Sequence, residues 1–143
     1  MTDPMVRRAA AAQATLDTWS KRPFRLGFAD CVRMTAAHLR LLGHHVKLPP
    51  SGSYRTAKSA LKALREAGHD TLHAALSTIG LEEIAPASAI VGDVMMVDGG
   101  DEFGALGICV GNGRVLLYHE EIATGAVTAQ PVIMIAAWRV NPI

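Results

Sequence analysis

Gly111-Asn112-Gly113 is the feature that most restricts the folds open to this chain. It separates two apolar runs, residues 106–110 and 114–119, and an Asn-Gly turn between such runs signals a β-hairpin. A shorter apolar run, 93–97, precedes them. It is followed by Asp98-Gly99-Gly100-Asp101, a turn signal. A last strand is expected over 132–140, bent near Ala136-Ala137.

Upstream of residue 93 the apolar spacing is helical. Val6, Ala9, Ala12, Leu16 and Trp19 recur at steps of three and four, which places them on one helix face, and Pro23 ends that segment. A second helix is expected from Cys31, with Asp30 as its N-cap. Val32, Ala36, Leu39 and Leu41-Leu42 give it an apolar side, and Gly43 stops it. Residues 48–53, L-P-P-S-G-S, read as loop. A third helix would turn Ala57, Ala60, Leu61, Leu64 and Ala67 inward and close at Gly68. Asp70 is the expected cap of a short fourth helix carrying Leu72, Ala75, Leu76 and Ile79, ended by Gly80. Helices first and antiparallel strands last define an α+β domain. No repeat or internal linker divides the chain, so residues 1–143 are read as one domain.

Composition narrows the function classes. A chain of 143 residues can bury a real core. Half of its residues are hydrophobic and only 19% are charged, a lean surface that hints at burial in an assembly. A net charge of +1 supplies no basic field for nucleic acid. No segment is long and apolar enough to span a membrane. The N-terminal M-T-D-P-M-V-R-R-A-A-A-A lacks an apolar h-region, so no signal peptide is expected. Two cysteines, Cys31 and Cys109, make neither a disulfide framework nor a metal motif.

Three stretches in order carry a resemblance: P-F-R-L-G-F-A-D-C ending at Cys31, V-G-D-V-M-M from Val91, and A-L-G-I-C-V-G-N-G from Ala105. Together they resemble the NlpC/p60 group of papain-like cysteine peptidases, which cut peptide bonds in bacterial cell walls. The resemblance implies an NlpC/p60-type fold with N-terminal helices packed on a C-terminal antiparallel sheet. It also implies a nucleophile at the N-terminus of a helix, where free N–H groups and the helix dipole favour thiolate. Cys31 matches that nucleophile and Asp30 the aspartate before it. Phe24 and Gly27 match the aromatic and glycine upstream, while Leu26 stands where tryptophan is usual. Residues 43–49, G-H-H-V-K-L-P, match the loop after the nucleophile helix, and Asp93 the Gly-Asp that opens the first sheet strand. Two positions depart. The base histidine's place holds Ala105, and the third catalytic place aligns with Leu117. Alanine takes no proton and leucine orients no imidazole. Without a base, a thiol of ordinary pKa (~8.5) stays protonated near neutrality and is a poor nucleophile.

A resemblance over nearly the whole chain is to a family of small phage- and prophage-encoded proteins of unknown function. The shared pattern is pF-x-x-G-x-x-D-C, G-x-Y-R-T-A, G-D-V, A-L-G-I-C-V-G and A-W-R-V, here residues 23–31, 52–57, 92–94, 105–111 and 137–140. Such proteins look like NlpC/p60 relatives encoded near tail genes. The expectation is a tail-tip component of the virion, made in the host cytoplasm. Its partners would be other tail or hub proteins and, in the enzymatic alternative, peptidoglycan. No cofactor or metal is implied.

Candidate site residues carry competing readings. Cys31 is either an active nucleophile or a buried small hydrophobe, a place free cysteine often takes. Asp30 is read first as a helix cap. His38 lies seven residues past Cys31 on the same helix, roughly 10 Å along the axis, too far for a hydrogen bond. His44 and His45 follow the helix end, at the rim of a cleft or in solvent. His69 and His73 are read as surface or capping residues. His119 is the candidate base. With a three-residue hairpin loop, paired residue numbers sum to 224 and His119 falls opposite Ala105, on the same face; a two-residue loop shifts that register. Against this stands an ordinary strand-end histidine in solvent. Cys109 shares the face of Ala105, either beside Cys31 as a redox partner or packed in the core. Trp138 and Arg139 are candidate partner anchors, with Trp138 as ordinary core the equal alternative.

Overall fold

The computed structural model describes residues 3–98, 105–119, 122–131 and 133–143. Among them are four helices, α1 (Pro4–Trp19), α2 (Cys31–Leu41), α3 (Ala57–Glu66) and α4 (Leu72–Thr78), followed by strands β1 (Glu82–Ile84), β2 (Val94–Val97), β3 (Ala105–Gly111), β4 (Arg114–Leu117), β5 (Val127–Ala129) and β6 (Met134–Arg139). The strands form one sheet in the order β1-β6-β2-β3-β4-β5, with every described pairing antiparallel. The domain is α+β, as expected. No described helix is long and apolar enough to cross a membrane.

The hairpin turns on Asn112 and Gly113, both at positive φ (56° and 72°), which suits a tight two-residue connection. A register shift between Cys109 and Gly111 absorbs one extra residue. Ile108 therefore faces Leu116 and Cys109 faces Val115, and both pairs sum to 224. The loop is shorter than the expected register assumed, yet the bulge restores that register.

Boundaries differ from the sequence reading in several places. α1 stops at Trp19, four residues before Pro23. Its buried face is Arg8, Ala11, Ala12, Thr15 and Trp19, whereas Val6 is exposed. The helix is rotated because Arg8 is drawn inward by a carboxylate. Thr71, not Asp70, caps α4. Leu41 is exposed while Leu42 is buried. The expected turn at 98–101 lies, beyond Asp98, outside the described residues, as does Val132. β6 carries its irregularity where Met96 faces Ala136 and Val97 faces Met134, one residue before the expected bend. β1 and β5, three residues each, had no distinct sequence signal.

Alternation along the strands makes two apolar layers. Val94, Met96, Leu106, Ile108, Leu116 and Trp138 face α1 and α2, packing on Met34, Leu39 and Leu42. Each such buried side chain contributes about 1.5–3 kcal/mol. Met95, Val97, Val115 and Leu117 form the opposite face, with Ala105 and Val127 against them.

α1 is pinned to the sheet by charge. Asp93 is fully buried just before β2. It receives the Arg8 guanidinium, Arg139 Nε at 3.0 Å, and the backbone N–H groups of Val140 (3.0 Å) and Ile90 (2.9 Å). Arg8 also donates to the carbonyls of Val91 and Val140. A buried carboxylate this well supplied is satisfied, and removing it would strand a buried cation.

Candidate functional site

Cys31 opens α2 as the sequence anticipates. Asp30 is the N-cap, accepting from the N–H of Arg33 at 2.9 Å. It also accepts from the Gly27 N–H and the Tyr54 hydroxyl, each at 2.9 Å. The cap reading of Asp30 therefore holds. The carboxylate also joins two motifs that sequence reasoning left separate, the segment before Cys31 and G-S-Y-R-T-A. Gly27, at φ +88°, is held where an added Cβ would sit 2.0 Å from the Tyr54 carbonyl oxygen. The Gly52 N–H donates to the Gly27 carbonyl at 3.0 Å. Arg33 lies over the Tyr54 ring and donates to the carbonyls of Pro49 and Pro50. The approach to Cys31 is thus clamped from both sides. The tyrosine in the second motif was the available signal for this clamp.

The thiol is pressed against the start of β3. Burial is the main cause that pushes its pKa up, to about 11; neighbouring Asp30 adds to the rise, while the backbone N–H groups of Leu106, Cys31 and Val32 oppose it. The helix N-terminus therefore acts in the expected direction and is outweighed by desolvation. A histidine–thiolate pair would drive the value the other way.

Around Cys31 a cavity of about 960 Å³ opens between α2, α3, α4 and the C-terminal part of the sheet. Ala105, Leu117, Tyr118 and His119 all line it, together with Cys31. Ala105 and Leu117, the positions where the resemblance would put a base and its orienting partner, thus border the cysteine's cavity. His119 is exposed, two residues past the end of β4. It shares the cavity with Cys31, but the strand ladder that would set it opposite Ala105 ends at Leu117. Tyr118, which the sequence reading passed over, also borders the cavity. Its hydroxyl donates to the Arg22 carbonyl at 2.9 Å and its ring meets Phe24 edge-on. Burial raises its pKa to about 12.

The other histidines are accounted for locally. His38 is buried between Thr15 (Nδ1, 3.0 Å) and the Gly92 carbonyl (Nε2, 2.8 Å). The carbonyl can only accept, so Nε2 carries the proton and the ring is neutral, in keeping with a pKa lowered mainly by burial. His44 Nε2 lies 2.7 Å from the Asn141 carbonyl. His45 is exposed. His73 tilts against Trp138 and lies 3.0 Å from Glu83, and His69 borders the cavity. Neither caps α4. Cys109 is buried at the Asp93 end of β3, and both cysteines are free. Alternation puts Cys109 on the face of β3 away from Leu106, which separates it from Cys31. Trp138 is fully buried and belongs to the core, while Arg139 is partly exposed and held by Asp93 and the Ser88 carbonyl. Among the described residues no cluster of His, Cys, Asp or Glu could hold a metal ion.

What this arrangement defines is a cysteine at the capped start of a helix, against an antiparallel sheet, with Ala105 and Leu117 on the wall of its cavity. Residues 5–140 match a family described as a domain of unknown function, DUF6950, and the chain belongs to that family. No curated protein matches it.

Proposed function

We propose that this domain is a degenerate papain-like module of the NlpC/p60 type that serves as a structural component of a phage or prophage tail tip, docked on hub proteins and acting in tail assembly or envelope passage. The observation that carries the reading is Cys31 itself. It keeps the place of a nucleophile, at the head of α2 against β3, yet its thiol is pushed up to about pKa 11 and the cavity beside it is lined by Ala105 and Leu117. A scaffold that keeps the nucleophile's position without a base beside it suits a binding or assembly role. Exposed Ile133, Met134 and Ile135 at the start of β6 add apolar surface of the kind a docked subunit covers.

The test is association. Virions of a phage encoding the chain should contain it, and the purified protein should bind the tail-hub proteins encoded beside it. Absence from virions together with no hub binding sinks the proposal.

A second reading is favoured by one observation, that His119 and Cys31 border the same cavity. In it His119 is the base and Cys31 the nucleophile of a peptidoglycan endopeptidase or amidase. Digestion of muropeptides by the wild type, lost in both Cys31→Ala and His119→Ala, would establish it.

A further inference from the structure

The cavity beside Cys31 continues well past it, along the inner side of α3. There Ala57, Ala60, Ala63 and Ala67 line the wall. Of α3's residues only Ala60 is buried, although the helix is strongly amphipathic. A helix packed directly on the layer beneath would bury large side chains. This one lines the cavity with Leu64 and a row of alanine methyl groups. Ala57 and Ala67 stand about 15 Å apart along the axis, so the wall is long as well as smooth.

One polar atom on the facing wall lacks a partner. Thr35, one turn after Cys31 on α2, is 2% exposed and borders the cavity, and its hydroxyl makes no hydrogen bond. A helical threonine ordinarily bonds the carbonyl four residues back. Thr15 in α1 lies 2.8 Å from such a carbonyl, that of Ala11, and 3.0 Å from His38 Nδ1, so its hydroxyl has partners. A buried hydroxyl left unmatched is unfavourable and calls for a partner.

We propose that this cavity binds a linear aliphatic acyl chain, laid along the alanine wall of α3, with its carbonyl end hydrogen-bonded by Thr35. The chemistry selects that class. The walls are mainly aliphatic side chains, and the volume of about 960 Å³ falls within the range of small-molecule sites. One unmatched hydroxyl fits a ligand with one polar end. A peptide would need partners for an N–H and a C=O at every residue, and the alanine wall of α3 supplies none. The proposal stands apart from the tail-tip reading and does not require Cys31 to react.

The experiment uses the full chain and hexadecanoate, followed by calorimetry and native mass spectrometry. Saturable one-to-one binding is expected, with a rise in melting temperature. Ala63→Phe, which fills the channel from a half-buried position, should abolish binding while the circular dichroism spectrum is unchanged. Thr35→Val should weaken binding by about fivefold, the equivalent of one hydrogen bond. Phosphatidylglycerol vesicles distinguish the source of the chain. Vesicle binding that free hexadecanoate competes away identifies a membrane lipid's acyl chain; hexadecanoate binding without vesicle binding identifies a free acyl ligand. If Ala63→Phe does not fold, Ala60→Leu takes its place. Absence of saturable binding to the folded wild type in either form overturns the proposal, as does binding indifferent to both the channel-filling and the Thr35 substitutions.

Discussion

The two flanks of α2 are built on opposite principles. On the α1 side polar groups are buried and matched: Asp93 receives two arginines and two backbone N–H groups, and His38 spans Thr15 and Gly92. On the α3 side the helices stand over a cavity lined with alanines, and Thr35 lacks a partner. The matched flank fixes one geometry through Asp93 and His38, although the buried Trp138 Nε1 in the same layer makes no hydrogen bond. The hollow flank contributes less to stability and leaves room for something to enter. The same substitution should therefore have different consequences on the two sides.

The largest effect is expected at Asp93. Asp93→Ala leaves Arg8, itself 2% exposed, buried without its carboxylate. Loss of one partner from such a pair costs about 3–5 kcal/mol, enough to unfold a marginal domain. Urea denaturation at neutral pH measures it. A loss below about 1 kcal/mol, the value of an exposed pair, would mean that this flank is not locked by charge.

Next come two glycines with the same backbone strain and different surroundings. Gly27 and Gly68 have φ of +88° and +94°. An added Cβ at Gly27 meets the Tyr54 carbonyl; at Gly68 it meets nothing within 4 Å. Both alanine variants carry about 1–2 kcal/mol of left-handed strain. Gly27→Ala should add about 1–3 kcal/mol of overlap and loosen the clamp before Cys31. Equal losses in the two variants would show that the clamp yields.

Little of this contrast could be read in the sequence, although several local features could. The hairpin and the Asp30 cap follow from local signals that act over a few residues, whereas the placement of Cys31 against β3 came only from the resemblance. The matched flank was harder to see. Arg8 is buried because of Asp93, 85 residues away, and helical periodicity gives no warning of such a partner, so Val6 was assigned inward instead. The short edge strands β1 and β5 are defined by their neighbours and not by their own patterns. The cavity was hidden for a different reason. A row of alanines reads as a packed helix face, and only the absence of anything against it shows otherwise. Tryptophan suits both interfaces and interiors, so the sequence leaves Trp138 open between an anchor and the core, and its burial decides for the core.

Alkaline pH probes the junction of the two flanks. With a pKa near 11, Cys31 alkylation by iodoacetamide should keep rising up to about pH 11. A plateau below pH 8 would instead indicate a thiolate stabilised by a base and would favour the peptidase reading. Stability follows the same shift. Above the ordinary thiol value the unfolded chain ionises first and the folded chain holds its proton, so the Cys31 contribution is intact below about pH 9 and is lost as pH rises towards 11. Cys31→Ala should flatten that part of the curve. His38 works in the other direction. Its lowered pKa means stability is present above pH 6.5 and falls as the pH drops below it.

The smallest effect is the most direct comparison, because it makes one substitution in both flanks. Thr15→Val removes the hydroxyl that His38 Nδ1 accepts from, in a site with 1% exposure. The imidazole nitrogen is then left unmatched, at a cost of about 1–3 kcal/mol. Thr35→Val removes a hydroxyl that has no partner, at 2% exposure. Replacing such a group by a methyl of the same shape should be neutral or stabilise the ligand-free protein by up to about 1 kcal/mol. Parallel urea curves on the two variants read the difference. Opposite signs support a matched flank facing a hollow one. A clear loss of stability in Thr35→Val would show that the hydroxyl is already satisfied in the free protein, and the cavity would then have no unmatched group to offer a ligand.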